Sequence, residues 1–324
     1  MSKLELVKLE INLKEPALFS SRKLGNFYIH TSLYIPAGTL KGALVNVLFA
    51  RDAALGKTAL EELSVSNAYP KKSVPTHAYM FLTKRKKGKF LEKKGILELD
   101  DIFEEKRYNE EVLGLKQLKS DFEPKSVIGE VAEYSPTKEY PEEGQHNHYV
   151  KATASFKVLP NVAVSKKSGS SQRGMLFSYE IVERGTFWGL VDYDVWKKLK
   201  LEDELAVSLG KGRIGGLAEV KVVDKSVEYA EKGNAYCFTQ CLPSFGSAVF
   251  FKTEDHLSAT SVYQGWFTNE YFASRKPSFA VMKEGSLVKI SDAAEAKKVM
   301  PAGLNFLLKV RDAYSLLKAV GEVS

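Results

Sequence analysis

From Val7 to Leu13 apolar and polar residues alternate, with Val7, Leu9, Ile11 and Leu13 on one side and Lys8, Glu10 and Asn12 on the other. A period of two predicts a half-buried first strand, ended by Pro16, which has no ladder donor. A polar loop, Phe19–Thr31, follows. Leu40, Ala43, Leu44, Val47 and Leu48 then recur at helical spacing, with Thr39 as the expected N-cap. Residues 52–147 show no sustained period and are too long for a connection, so they read as an insertion carrying small elements that projects from the first domain. Alternation resumes from His148 as a strand. Met175–Val182 and Thr186–Val191, around a turn at Arg184 and Gly185, predict a hairpin. Val195, Leu199, Leu205 and Leu209 predict a helix over Tyr193–Leu209, and Leu217–Val222 a strand.

Without the insertion the order is β-α-β-β-α-β, so the chain reads as α+β with a ferredoxin-like (RRM-like) domain over residues 1–228 and an insertion at about 52–147. Residues 229–324 carry a shorter set. A strand is expected at Phe245–Phe251, a hairpin at Phe279–Ile290 turning at Gly285, a helix at Ala293–Met300 and a strand at Leu304–Val310. They read as a smaller, degenerate ferredoxin-like domain.

Composition narrows the class. With 324 residues, 44% hydrophobic and 27% charged, the chain can bury a sizeable core, which excludes a disordered regulator, a disulfide-stapled mini-protein and a fibrous repeat. Two cysteines argue against an oxidising compartment, the N-terminus reads as a strand rather than a signal peptide, and no apolar run reaches the length of a membrane span. The expectation is a cytoplasmic protein with no membrane partner. Forty-seven lysines and arginines against 40 acids leave +7, which permits a polyanionic partner without requiring one. The densest basic run, Lys84–Lys89, reads as a solvated face or a contact surface.

Tests for chemistry are mostly negative. Cys237 and Cys241 have no histidine nearby until His256, and His146 with His148 make a poor metal set, so no metal is expected. Gly210–Gly216 (GKGRIGG) is glycine-rich, but Gly210-Lys211 is followed by Gly212 rather than the Ser or Thr of a phosphate loop, and no cofactor is expected. No nucleophile elbow or His-Glu-x-x-His is present. Three surfaces remain. Lys41 and Gly42 lie on the first turn of a helix, where free N–H groups suit phosphate, although a glycine for close packing fits as well. Lys211, Gly212, Arg213, Gly215 and Gly216 have more glycine than a helix end and a turn need, which favours a ligand resting on bare backbone. Two loops add Lys166, Lys167 and Arg173, and Trp266, Phe267, Arg275 and Lys276. The last four mix stacking and charge, or else the two aromatics belong to an interdomain core.

In this order the segments resemble the RAMP superfamily of CRISPR-associated proteins. Tyr34-Ile-Pro-Ala-Gly-Thr-Leu-Lys-Gly-Ala43 is similar to the superfamily's Ile-Pro-Gly helix start, Gly210–Gly216 to its glycine-rich loop, and Gly174–Gly189 to its central hairpin. Gly265–Pro277 and Met282–Val288 resemble the far half of the two-domain subunit of type III-D effectors. Ala37 stands where the family usually has glycine, and Leu316–Gly321 lacks a second glycine-rich loop. The resemblance implies a non-catalytic subunit gripping the 5′ handle of the guide RNA (crRNA). Neighbouring RAMP-family backbone subunits and a large polymerase-like effector subunit would be its partners. No acid lies between Phe19 and Ile35, where the family's target-slicing subunits carry an aspartate. His30, with Tyr28 near it, leaves a metal-independent guide-processing endoribonuclease as an alternative, and a purely structural subunit as another.

Overall fold

The computed structural model describes residues 4–24, 28–83, 89–98, 103, 122–123, 127–136, 146–164, 171–211, 214–264, 266–268, 273–275 and 278–324. The first alternating segment forms the strand Glu5–Leu13, the middle of a five-stranded sheet. Its neighbours are Gly185–Asp192 on one side and Ile214–Glu228 on the other, both antiparallel. Tyr69–Pro70 pairs outside the first, and Glu204–Lys211 outside the second. With the helices Ala37–Arg51 and Tyr193–Lys198, this is the split β-α-β-β-α-β arrangement. The strands joined by the first helix are separated by a third strand lying between them. The α+β expectation therefore holds for this sheet, but several of its parts differ from those the periodicity predicted.

The second strand is Tyr69–Pro70, inside the stretch expected to be an insertion. Ser171–Val182 does not pair with Gly185–Asp192. It pairs with Phe156–Val164, while Val182 bridges Ala17. Phe187 to Val191 are all buried, so this strand is covered on both faces and offers no alternation to read. The helix expected over Tyr193–Leu209 stops at Lys198, and Glu204–Lys211 is a strand. There Leu205, Val207 and Leu209 are buried between exposed Glu204, Ala206 and Ser208, a period of two that the longer helical count concealed. Thr39 is not the N-cap; the helix opens at Ala37 after Pro36, whose fixed φ suits that position.

Residues 53–62 form a second helix, started by Asp52, whose carboxylate accepts from the Ala54 and Leu55 N–H groups. The expected loop Phe19–Thr31 contains two strands, Ser20–Leu24 and Tyr28–Thr31. Further on, Phe245–Phe251 is a tight hairpin rather than a single strand, turning through Gly246. Phe279–Met282 and Leu287–Asp292 are not hairpin partners. They pair with Thr260–Tyr263 and with Gly233–Cys237 plus Lys252–Leu257, respectively. Ala296–Ala302 is a 3-10 helix, and the late strand shrinks to Leu307–Leu308.

The two faces of the five-stranded sheet lie in different cores. Leu9, Ile11 and Leu13 join Leu40, Leu44, Leu48 and Trp196 beneath the helices. The opposite face places Leu6, Trp188 and Leu190 against Tyr69, Phe90, Tyr236 and Leu307. That second core draws on a six-stranded sheet built from residues 73–151 and on a four-stranded C-terminal sheet. The strands of the expected insertion thus contribute side chains to this core. Lys8, assigned by alternation to the far face, is only 3% exposed, and its ammonium meets Glu322 Oε1 at 2.6 Å. Glu322 Oε2 accepts from the Lys72 N–H, so one carboxylate fastens the C-terminal end to two segments. Among the described residues no helix is long and apolar enough to cross a membrane.

The remaining large sheet has the order Phe156–Val164, Ser171–Val182, Tyr28–Thr31, Ser20–Leu24. It is mixed, because Ser171–Val182 runs parallel to Tyr28–Thr31.

Candidate nucleic-acid interface

Ile35 and Pro36 bring the chain into the first helix. Asn67 Oδ1 accepts from the Ala37 N–H at 2.9 Å, so one of the N-terminal donors is used within the protein. Gly42 is exposed, with open space where a side chain would sit. Lys41 is not at that surface. It is 9% exposed, and its Nζ donates to the carbonyls of Leu60 and Pro301, each at 2.7 Å. Its ammonium ties the first helix to the end of the second and to the C-terminal 3-10 helix. The pairing Lys41–Gly42 on one phosphate-facing turn is therefore not formed.

Just before this helix, the Tyr34 hydroxyl donates to Glu284 Oε1 at 3.2 Å, while Glu284 Oε2 is buried without a hydrogen-bond partner. Burial pushes the Glu284 carboxyl above its usual range, and burial together with the Glu284 charge pushes the Tyr34 phenol up. Sequence inspection gave no hint of this contact, because 250 residues separate its members.

The glycine-rich segment is the end of a hairpin, not a loop after a helix. Gly210 faces Gly215 and Lys211 faces Ile214 across the two strands. Gly212 and Arg213 lie outside the described residues, as does the side chain of Lys211. Gly216 has a reason internal to the protein. A Cβ there would collide with the Glu15 carbonyl oxygen and lie 2.7 Å from that of Pro16. Beside it Leu217 O accepts from the Lys14 N–H at 2.9 Å, and the Leu217 N–H donates to Glu15 Oε2 at 3.0 Å. The base of the hairpin is thus clamped to the end of the first strand, which accounts for one glycine earlier attributed to a ligand.

Lys166, Lys167 and Lys276 fall outside the described residues, and so does most of the basic run 84–89. Arg173 lies in the strand Ser171–Val182. Trp266–Thr268 pairs with Ala273–Arg275, setting Trp266 opposite Arg275 and Phe267 opposite Ser274. This small hairpin continues the pair Thr260–Tyr263 and Phe279–Met282. There the rings of Tyr263 and Phe279 stack at 5.0 Å, and Phe245, 52% exposed, adds a third ring at 5.1 Å from Phe279.

His30 lies in the mixed sheet. Its Nδ1 is 2.6 Å from Glu180 Oε2, which also accepts from the Thr31 N–H at 3.3 Å. Glu180 escaped notice because it is 150 residues away and reaches His30 only through the parallel pairing of two strands. A second buried set, His77, Asn147, Tyr149 and the Ala313 N–H, surrounds the Glu92 carboxylate completely, with no exposed member to meet a ligand. Among the described residues no group of three or more His, Cys, Asp or Glu is placed to hold a metal.

No family model matches the chain, and no curated protein does. Among solved structures it is similar to a chain in the cryo-EM structure of the Type III-B Cmr-beta bound to cognate target RNA and AMPPnP, state 1. The TM-score is 0.51 at 13% identity, covering 87% of this chain and 86% of that one. A chain in the structure of the Type III-B Cmr-beta bound to cognate target RNA gives 0.49 at 13% identity with the same coverage. At such identity the first likeness is one of fold.

Proposed function

We propose that this protein is a RAMP-superfamily subunit of a type III CRISPR effector that binds guide RNA without cleaving it. The observation that carries this reading is the split β-α-β-β-α-β sheet, entered through an Ile-Pro helix start and closed by a glycine-rich hairpin. It is a fold shared with a chain of the RNA-bound Type III-B Cmr-beta. The hairpin end, with Lys211, Gly212 and Arg213, holds the 5′-handle phosphates through backbone N–H groups and charge. Trp266, Phe267, Arg275 and Lys276 add stacking and charge. Residues 229–324 act as a degenerate second unit, and its partners are neighbouring RAMP-family subunits and a large polymerase-like subunit. Co-purification of the assembled complex tests this. Reversing Lys211 and Arg213 to Glu is expected to strip guide RNA from the particle while the subunits stay together. Unchanged RNA content would leave only the structural role.

One observation favours a second reading, guide processing. Glu180 holds His30 by Nδ1, so proton transfer would run through Nε2, as a general base acting on a 2′-hydroxyl requires. The 2′-oxygen would displace the 5′-oxygen from phosphorus, giving a 2′,3′-cyclic phosphate while the leaving oxygen takes a proton from water. Mature guide with that end, lost in His30→Ala, would establish this reading and end the non-catalytic one.

A further inference from the structure

Residues 244–249, Ser-Phe-Gly-Ser-Ala-Val, form a tight hairpin in which every residue is exposed and none is charged. Its two-residue turn uses Gly246 at φ +58°, the positive φ that such turns require. The hairpin is firmly rooted. Leu242 and Phe251, on either side of it, are buried in separate clusters. The Pro243 carbonyl accepts from the N–H groups of Phe250 and Phe251, at 2.7 and 3.2 Å. A hairpin that buries so little of itself adds little to folding, so its fixed tip has another reason.

Phe245 supplies one. It is 52% exposed, yet its ring is held. It lies 5.1 Å from the ring of Phe279, which stacks on Tyr263 at 5.0 Å with an interplanar angle of 22°. The Tyr263 hydroxyl donates to the Ala302 carbonyl at 3.1 Å, and the adjoining Pro301 carbonyl accepts from Lys41 of the first helix. The ring set is therefore anchored at its far end, and a contact on Phe245 costs little ordering. Phe245 and Ala248 are cross-strand partners and share one face, with Ser244 and Val249 on the other. The apolar surface on the Phe245 side is one ring and one methyl, joined through Gly246 and Ser247. Protein docking patches extend over several hundred Å², roughly, whereas one ring matches one base. A base inside a duplex is already stacked on its neighbours, so the ligand that fits is an unpaired one.

We propose that Phe245 is a stacking position for an unpaired base of single-stranded RNA, presented by the 244–249 hairpin and backed by Phe279 and Tyr263. This rests on the RNA-binding reading above and adds a base contact to the phosphate contacts given there. The full-length protein is titrated with a fluorescein-labelled oligouridylate at several salt concentrations. Phe245→Ala is expected to weaken binding by about fivefold or more, the loss of one base–aromatic stack. The slope of log affinity against log salt is expected to stay unchanged, because no phosphate contact goes with the ring. Phe245→Leu keeps an apolar side chain but no π face, and is expected to lose nearly as much. Phe245→Tyr keeps the ring and is expected to stay within about twofold, as is Val249→Ala on the hairpin's other face. Because both positions are half exposed, these variants are expected to fold. Unchanged affinity in Phe245→Ala, or full rescue by leucine, overturns the stacking role and leaves RNA binding standing. Loss of partner subunits from the co-purified complex, with RNA affinity unchanged, makes Phe245 a protein contact and also overturns it. No binding of the wild-type chain to the oligouridylate overturns the RNA-binding reading itself, and this inference with it.

Discussion

The five-stranded sheet and the mixed sheet are built from neighbouring stretches of one chain and have opposite surroundings. The middle strands of the first, Glu5–Leu13 and Gly185–Asp192, carry buried residues on both faces, and Lys8 there is held by an ion pair with Glu322. The second exposes successive residues of one strand and keeps its only carboxylate hydrogen-bonded. Strands buried on both faces supply stability and geometry, whereas a solvated edge strand adds little buried area to the core.

The comparison breaks most visibly in stability. Trp188→Ala removes a fully buried ring of the five-stranded sheet whose Nε1 donates to Ser73 O at 3.0 Å. It is expected to cost about 3–5 kcal/mol in denaturant unfolding. Glu322→Ala leaves the buried Lys8 ammonium with only the longer contact to Glu10, at 3.8 Å, and is expected to cost about 2–3 kcal/mol by the same measurement. Glu284→Gln acts in the opposite direction. Its carboxyl is raised in the folded state, so the unfolded chain releases that proton more readily, and stability falls as pH rises from the unfolded value of about 4.3 through the raised one. The variant is expected to melt higher than the wild type at neutral pH, with the difference shrinking at pH below the unfolded value. At the small end, Val158→Thr in the mixed sheet is expected to stay within about 0.5 kcal/mol, because the side chain is half exposed. A large loss there would mean that the sheet is held by contacts it does not show.

The same contrast explains what the sequence could tell. The first strand and first helix were legible because the period of their apolar residues matches their burial over Leu9–Leu13 and Leu40–Leu48. Gly185–Asp192 was legible as a strand, but, buried on both faces, it carries no period that would name its partners. Tyr69–Pro70 is too short to announce itself, though it completes the split arrangement. The strand Glu204–Lys211 was readable, but its leucines also fit a helical count. At the candidate interface, residue types were legible and partners were not. Lys41 read as a surface cation because its two carbonyl partners, on Leu60 and Pro301, are distant in sequence. Gly216 read as a ligand contact because the Glu15 and Pro16 carbonyls above it are set by sheet register alone.

The central claim is that the glycine-rich hairpin closing the five-stranded sheet rests against RNA. Residue-resolved RNA crosslinking of the co-purified complex tests it most directly. The account predicts crosslinks centred on residues 210–216. Crosslinks confined to other segments, with none at 210–216, would contradict it.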